Sequence, residues 1–180
     1  MAVVTLVTGN LNKVKYLTKH LGFAIKHTKI SLDELQSLDP KEIVEHKVRQ
    51  AYEMVKTPVL VEDGSLEFEA MGRLPGPFIR FFVEELSLEN ICRLLDGKTR
   101  KATARTTFGY FDGQEVKFFQ GELRGEIAKA PQGENGWDWD KIFIPEGSSV
   151  TRAQMDDNDY GKTTLHLRPI AELKDFFATL

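Results

Sequence analysis

Apolar and polar residues alternate in blocks along the first third of the chain. Buried strands are predicted at 2–8 and 58–62, where apolar residues run together, and a further strand is predicted near 24–30. Between them, apolar positions recur at helical spacing over about 11–21 and 41–55. Strands that alternate with helices in this order predict an α/β fold in which the first strands pair in parallel.

The second part of the chain has a different pattern. Residues 101–111 are rich in β-forming residues, Asp112-Gly113 is a strong hairpin signal, and 115–123 predicts the partner strand. The other elements predicted here are helices near 78–86, 88–95 and 169–177, a third meander strand at 124–130, a short strand at 141–145, a helical turn at 150–155 and an acidic loop at 156–162. The two patterns together predict a single domain over 1–180, with a mixed sheet and two lobes around a cleft.

Two consecutive carboxylates, Glu62-Asp63, end the apolar run that begins at Pro58. Gly64 is predicted to turn the chain directly after them, since glycine adopts conformations that other residues avoid. Acidic side chains at the carboxyl end of a buried strand lie where open α/β sheets bind their ligands. A solvated acidic turn without a function is the alternative interpretation of this stretch.

Thr8-Gly9-Asn10 follows the first strand, and Asn10 is suited to cap the helix near 11–21. A strand, a turn and a helix start form a generic cradle for an anion, because the first N–H groups of a helix have no partner within it. Lys13 lies in that first turn, where a cation opposes the helix dipole by up to about 1 kcal/mol. A bound anion would explain Lys13, and a solvated surface lysine is the alternative.

The composition argues against several classes of protein. The formal net charge of -3 does not indicate a general nucleic-acid binder, and 28% charged with 41% hydrophobic residues is ordinary for a soluble domain. Cys92 is the single cysteine, which excludes a disulfide within the chain and a cysteine-based zinc cluster. The apolar run at 2–8 is too short to span a membrane and has no basic leader, so the expected compartment is the cytosol.

The loop at 132–140 holds both tryptophans of the chain, Trp137 and Trp139, beside carboxylates. Such a loop suits stacking on a base and accepting its N–H protons, although tryptophans that cover the core are the alternative. Carboxylates and cations at the other strand and loop ends suit a nucleotide bound with a divalent metal, because Mg²⁺ is held by one or two carboxylates and substrate phosphates. P-loop, Rossmann and nucleophile-elbow motifs do not occur.

Four short motifs follow one another along the chain: TGNLNK at 8–13, PVLVED at 58–63, LPGPFI at 74–79 and GWD at 136–138. In this order they resemble the motifs of the inosine triphosphate pyrophosphatase family. Each motif is short, but their order and spacing extend over most of the chain. The resemblance implies a two-lobed α/β fold with a central nucleotide cleft, a homodimer, and hydrolysis of dITP, ITP or XTP to the monophosphate and pyrophosphate with Mg²⁺. Such an enzyme is a hydrolase acting on acid anhydrides, and Mn²⁺ is the alternative metal because carboxylate sites accept both.

The same resemblance implies roles for the residues that match the motifs. Asp63 corresponds to the catalytic carboxylate with Glu62 as its partner, and Glu34 and Asp63 correspond to the metal ligands. The residues that it places on the substrate are Thr8, Asn10, Lys13 and Lys47 on the triphosphate, Trp137, Asp138, Lys162 and Arg168 around the base, and Ser65.

The chain departs from the family pattern at several positions. Gly64 stands where a Ser or Thr usually follows the catalytic Asp, and Ser65 comes one place later. Around the base, Asn135 replaces an aromatic residue, Trp139 replaces a proline, and His166-Leu167-Arg168 replaces Ser-His-Arg. The phosphate half of the site therefore matches better than the base half. Two alternatives stay open: a non-catalytic nucleotide-binding homologue, and a pyrophosphatase for another modified nucleotide.

Overall fold

The structure of the protein, a computed structural model, describes residues 4–22, 25–136 and 138–180. Its strands are β1 (Thr5–Val7), β2 (Lys26–Thr28), β3 (Val59–Phe68), β4 (Pro75–Gly76), β5 (Lys101–Phe111), β6 (Val116–Ile127) and β7 (Phe143–Pro145). Its α-helices are α1 (Leu11–Leu21), α2 (Pro40–Val55), α3 (Ile79–Glu85), α4 (Leu88–Arg93), α5 (Asp157–Leu167) and α6 (Ile170–Ala178). Short 3₁₀ turns occur at Glu69–Met71, Asp138–Lys141 and Arg152–Gln154.

The strands form one mixed sheet in the order β2-β1-β3-β5-β6-β7, with β4 paired to β3. β1 pairs in parallel with both β2 and β3, whereas β3 with β4 and β6 with β7 are antiparallel. Parallel pairing at the start of the chain follows from the strand–helix–strand order, since each helix returns the chain to the end of the sheet at which the preceding strand began. The predicted α/β class with a mixed sheet is confirmed.

The chain divides into two compact units that are not successive halves of the sequence. Unit 1 comprises residues 1–63, 107–120 and 169–180, and unit 2 comprises 64–106 and 121–168. The tip of the β5–β6 hairpin and the last helix therefore belong to the unit that begins the chain. The composition of the sequence does not reveal that these later segments join unit 1, because their assignment depends on which apolar faces pack together.

In unit 1, local signals and packing agree on the first two helices. The Asn10 side chain accepts a hydrogen bond from Asn12 N and caps α1, and Gly22 ends this helix in the left-handed conformation. Asp39 caps α2, and Pro40 fills its first position. The buried residues of unit 1 form two clusters, one containing Leu6, Leu17, Leu60, Phe108 and Leu173, the other Val44, Val48, Ala51, Val59 and Val61.

Unit 2 has its own apolar core. Its buried members include Leu66, Phe68, Ile91, Leu95, Ile127, Ile142 and Phe143. Cys92 lies in the same cluster, and burial raises the pKa of its thiol to about 11. The thiol is therefore a packing group, as its apolar sequence context predicts. No helix in the described part of the chain is long and apolar enough to cross a membrane.

The predicted turn at Gly64 is wrong. β3 runs without a break through Gly64 and Ser65 to Phe68, and Leu66 and Glu67 pair with β4. The hydrogen-bonded ladder keeps Gly64 extended, so the conformational freedom of glycine is not used here. Glu62 and Asp63 accordingly lie inside a long strand and not at its end.

Two further expectations about the second part of the chain are also wrong. The segment predicted as a third meander strand at 124–130 continues β6 as far as Ile127. The segment predicted as an acidic loop is the start of α5, which Asp156 caps by accepting a hydrogen bond from Asp159 N. Acidic residues favour the first turn of a helix because of its dipole, so these residues are a helix signal.

Gly109 of β5 is expected to tolerate no side chain. A Cβ at this position would lie 2.3 Å from Val44 Cγ1 and 3.1 Å from Val48 Cγ1 of α2. Gly109→Ala should therefore lower the free energy of unfolding by about 1–3 kcal/mol, as overpacked cores do. Urea unfolding measures the difference. The control is Gly161→Ala in α5, where a Cβ meets no atom within 4 Å, and which should leave stability unchanged or raise it by about 1 kcal/mol.

Candidate active site

The central contact of the candidate site is an ion pair between α2 and β3 in unit 1. Lys47 Nζ lies 2.7 Å from Asp63 Oδ1, and the two side chains are 15% and 13% exposed. A charge-assisted hydrogen bond of this length, largely shielded from water, fixes the orientation of the carboxylate. The structure therefore excludes the alternative of a solvated acidic turn at Glu62-Asp63.

Lys13 approaches the same strand from α1. Its Nζ donates a hydrogen bond to the Glu62 backbone oxygen at 3.0 Å and lies 3.9 Å from Glu62 Oε1. The Glu62 side chain is only 2% exposed. Lys13 is thus not a solvated surface residue, and the contact with Glu62 accounts for a cation in the first turn of a helix.

The turn between β1 and α1 is held by its own side chains. Asn10 N donates to Thr8 Oγ1 at 3.1 Å, and Asn12 N donates to Asn10 Oδ1 at 2.9 Å. These bonds fix the start of α1, where the N–H groups of a first turn attract anions. The side chains of Thr8 and Asn10 therefore hold the turn in which the sequence predicts a phosphate cradle.

Glu34 completes the group in unit 1. Its Oε1 lies 3.9 Å from Lys47 Nζ, and its side chain is 46% exposed. Lys47 thus stands between two carboxylates, those of Glu34 and Asp63. Contacts between four separate segments bring together Lys13, Glu34, Lys47, Glu62 and Asp63.

Asp63 retains an unused acceptor in this arrangement. Its Oδ2 is buried and has no hydrogen-bond partner among the residues that the structure describes. A buried carboxylate oxygen without a donor is costly unless a cation or a proton reaches it. Oxygen ligands are those that Mg²⁺ prefers, so Asp63 with Glu34 fits the predicted metal. In the described ranges, no group of three or more His, Cys, Asp or Glu side chains could hold a metal by itself, so a metal at these two carboxylates would need ligands from another source.

The remaining predicted site residues belong to unit 2. Ser65 is 1% exposed, and its Oγ likewise has no hydrogen-bond partner within the described part of the chain. Asp138 is exposed and begins a 3₁₀ turn with a left-handed φ of 50°. Trp137, to which the sequence assigns base stacking, lies outside the described residues.

Lys162 and Arg168, both predicted to bind the base, have different environments in unit 2. Lys162 Nζ bonds to Asp159 Oδ1 at 2.7 Å on the exposed face of α5, and this bond raises the pKa of Lys162. Arg168 is 6% exposed and ends α5. Asp159 therefore holds Lys162 at the surface, whereas burial fixes the position of Arg168.

The structure also contains a buried polar network that sequence reasoning missed. Arg152 Nε donates to Asp140 Oδ1 at 2.7 Å, and the hydroxyl of Tyr160 donates to Asp140 Oδ2 at 2.8 Å. The remaining guanidinium nitrogens donate to the hydroxyls of Thr163 and Thr164. Burial raises the pKa of Tyr160, and the nearby Asp140 carboxylate raises it further. The signal available in the sequence was a second acid, Asp140, in the tryptophan loop.

The two departures from the family pattern in this loop have structural roles. Asn135 Nδ2 donates to Met155 O at 3.3 Å, so its side chain anchors the loop. Trp139 packs edge-on against Phe143, with 5.7 Å between the ring centroids, and contacts the core of unit 2. The alternative interpretation of a core-covering tryptophan therefore holds for Trp139.

Comparison with known proteins identifies the family. The sequence model described as the Ham1 family matches residues 4–176. The chain belongs to the Ham1 family. Inosine triphosphate pyrophosphatase 2 of Trypanosoma cruzi is 37% identical over 179 residues, covering 97% of this chain and 91% of that protein. Inosine triphosphate pyrophosphatase of Schizosaccharomyces pombe is 36% identical over 178 residues, covering 96% and 94%. These relatives confirm the resemblance found in the sequence and support a nucleotide pyrophosphatase, a hydrolase acting on acid anhydrides.

Solved Ham1 structures share the fold of this Ham1-family chain. A HAM1 protein from Coxiella burnetii superposes with a TM-score of 0.87 at 20% identity, covering 100% of both chains. The Ham1 protein of Staphylococcus aureus superposes with a TM-score of 0.82 at 22% identity, covering 98% of both chains. The predicted fold is therefore confirmed over the whole length of the chain.

Proposed function

We propose that this Ham1-family protein is a Mg²⁺-dependent nucleoside triphosphate pyrophosphatase that hydrolyses dITP, ITP or XTP to the monophosphate and pyrophosphate. The observation that carries the proposal is the half-buried Asp63 carboxylate, which Lys47 holds by one oxygen while the other has no donor within the described ranges. A carboxylate held in this way keeps the lone pairs of one oxygen for the metal and for the attacking water. The named relatives support the same class of substrate.

The phosphate chain would bind at the start of α1 and between the two lysines. The first-turn N–H groups of α1 attract the anion, and Thr8 and Asn10 keep this turn in place. Lys13 and Lys47 reach the Glu62-Asp63 segment from two different helices, α1 and α2. Both ammonium groups can therefore neutralise phosphate oxygens close to the catalytic carboxylate.

Asp63 and Glu34 would hold the metal, which supplies charge neutralisation for the triphosphate and orients the substrate. Asp63 orients a water molecule and accepts its proton as the water attacks the α-phosphorus. The bond from the α-phosphorus to the bridging oxygen breaks, and pyrophosphate leaves with that oxygen. Lys13 and Lys47 stabilise the negative charge that the leaving group takes up.

The decisive experiment is a panel of nucleoside triphosphates assayed with Mg²⁺ for pyrophosphate and orthophosphate. The proposal expects stoichiometric pyrophosphate from dITP, ITP or XTP and a much slower reaction with ATP and GTP. Binding without turnover would favour a non-catalytic homologue, and faster release from a pyrimidine or another modified nucleotide would favour a pyrophosphatase for that nucleotide. Release of orthophosphate alone would contradict all pyrophosphatase assignments.

Lys47→Met tests whether Lys47 contributes to turnover of the triphosphate. The variant loses the ion pair with Asp63 and one cation for the triphosphate, so kcat/KM should fall roughly 10- to 100-fold. Lys41→Met is the matched control, because Lys41 is exposed on the same helix. Equal activity of the two variants would contradict a role for Lys47.

We also propose that the protein is a cytosolic homodimer, as the family resemblance implies. Leu74 and Phe81 are exposed apolar residues, at 39% and 45%, and flank the Pro75-Gly76-Pro77 segment. Such residues suit a subunit interface. Light scattering after size exclusion should give twice the chain mass of 20.4 kDa, and a monomer would contradict the proposal.

A further inference from the structure

The loop that carries both tryptophans is fastened to one neighbouring segment of unit 2. Gln132 N donates to Lys141 O at 2.8 Å and closes the base of the loop. Thr151 Oγ1 donates to Gln132 O at 2.8 Å, and Asn135 N donates to Ala153 O at 3.0 Å. One hydrogen bond therefore closes the loop on itself, and two others attach it to the segment that contains the 3₁₀ turn at Arg152–Gln154.

Asp140 anchors the far side of this loop from within the buried network. Both of its carboxylate oxygens accept strong hydrogen bonds, one from Arg152 and one from Tyr160. The guanidinium carbon of Arg152 also lies 4.5 Å from the centroid of the Tyr160 ring. Two residues from outside the loop thus fix the rotamer of one residue inside it, and a buried, fully bonded carboxylate permits little movement.

The chain packs closely over this anchor. A Cβ on Gly136 would lie 2.4 Å from Asp140 Oδ2, and Gly136 has a φ of 73°, which favours glycine. Asp138 adopts a left-handed φ of 50° between Gly136 and Asp140. A non-glycine residue stays in this conformation only where the surrounding structure holds it, and such positions concentrate at functional sites.

We propose that Arg152 and Tyr160 are positioning residues that act through Asp140 to hold the described part of the tryptophan loop, residues 132–136 and 138–141, in the conformation that recognises the base. This inference rests on the proposed function, because it assigns the loop to the base of the nucleotide. It adds a determinant of base selectivity at residues that do not touch the substrate. Loosening the anchor should weaken recognition of the base and leave recognition of the phosphate chain intact.

Tyr160→Phe tests the proposal with little risk to folding. The variant keeps the ring beneath Arg152 and removes only the hydrogen bond to Asp140. Tyr110→Phe in unit 1 is the control, since it removes a hydroxyl from a buried tyrosine outside the loop. Because the chain has two tryptophans and both lie in the loop, quenching of tryptophan fluorescence by acrylamide reports on the loop without any assay of activity.

The proposal predicts four quantities in Tyr160→Phe, two that change and two that stay close to wild type. In Tyr160→Phe, the quenching constant should rise about twofold and KM for inosine triphosphate about tenfold, with kcat within about twofold of wild type. The inhibition constant of inorganic tripolyphosphate, which lacks a base, should stay the same. In Tyr110→Phe, all of these values should match those of wild type.

Each contrary result has a distinct meaning. Unchanged quenching in Tyr160→Phe, or increased quenching with unchanged KM, overturns the positioning role. Equal weakening of inosine triphosphate and tripolyphosphate also overturns it, because the effect would then be a general loss of structure. If wild type releases no pyrophosphate, the proposed function fails by itself, and calorimetric binding of the same two compounds replaces KM and the inhibition constant. Absence of nucleotide binding in wild type overturns both.

Discussion

Asp63→Asn is expected to abolish pyrophosphate release while leaving the protein folded. The substitution preserves the shape of the side chain and an oxygen for Lys47, but it removes the charge that binds a metal and accepts a proton. Loss of a general base alone lowers turnover by about 10²–10⁴-fold. A coupled assay for pyrophosphate with the preferred triphosphate measures the effect.

Asp175→Asn is the matched control for this experiment. Asp175 is exposed on α6 in the same unit, so its charge can be removed without touching the candidate site. This control should retain wild-type turnover and stability. A value of kcat for Asp63→Asn within tenfold of wild type would remove Asp63 from the chemistry and would leave Glu62 as the next carboxylate to test.

Arg152→Met is expected to cause a large loss of stability in unit 2. The Arg152 and Asp140 side chains are only 1% and 4% exposed. Removal of the guanidinium leaves a buried carboxylate without its cation, which costs about 3–5 kcal/mol in comparable sites. The free energy of unfolding from urea titration should fall by this amount.

The double variant Arg152→Met with Asp140→Asn distinguishes an uncompensated charge from a simple loss of packing. Replacing Asp140 by a neutral amide removes the buried charge, so the double variant should recover more than half of the stability lost in Arg152→Met. Strictly additive losses in the two single variants and the double variant would show that the two side chains do not act as a pair. Arg124→Met, on an exposed side chain of β6, should change stability by less than about 0.5 kcal/mol.

Local signals in the sequence were sufficient for much of the fold. Asn10 and Asp39 cap the first two helices as their residue types favour, and the spacing of Val44, Val48 and Ala51 identifies the buried face of α2. These features depend on the hydrogen bonds and packing of residues close in sequence. They can therefore be recognised without knowledge of the partners.

Predictions failed where long-range pairing decided the local conformation. Gly64 has the freedom to turn, but the ladder with β4 keeps β3 extended beyond Asp63. Residues 124–127 continue β6 because β7 pairs with them at Gly125, Glu126 and Ile127. The partner strands lie outside these segments, so no pattern within either segment reveals the pairing.

The phosphate half of the site and its base half differed in how far the sequence could specify them. Lys13, Lys47, Glu34 and Asp63 were named by their resemblance to family motifs, and the structure brings them within direct contact of one another or of Glu62. In the tryptophan loop, sequence reasoning selected Asp138 and did not find the bonded carboxylate two residues later. Both are acidic residues in the same polar stretch, and only burial separates Asp140, at 3% exposure, from the exposed Asp138.

The sequence by itself determined the class of the fold, the helix boundaries set by caps, the family, and the residue types of the phosphate-binding group. These depend on periodicity, short motifs and the chemistry of individual side chains. The tertiary structure alone decided that unit 1 regains residues 107–120 and 169–180, that Lys47 orients Asp63, and that Arg152 and Tyr160 hold Asp140. The physical reason is that each of these features is a contact between segments far apart in the chain, whose free energy depends on burial that no local pattern records.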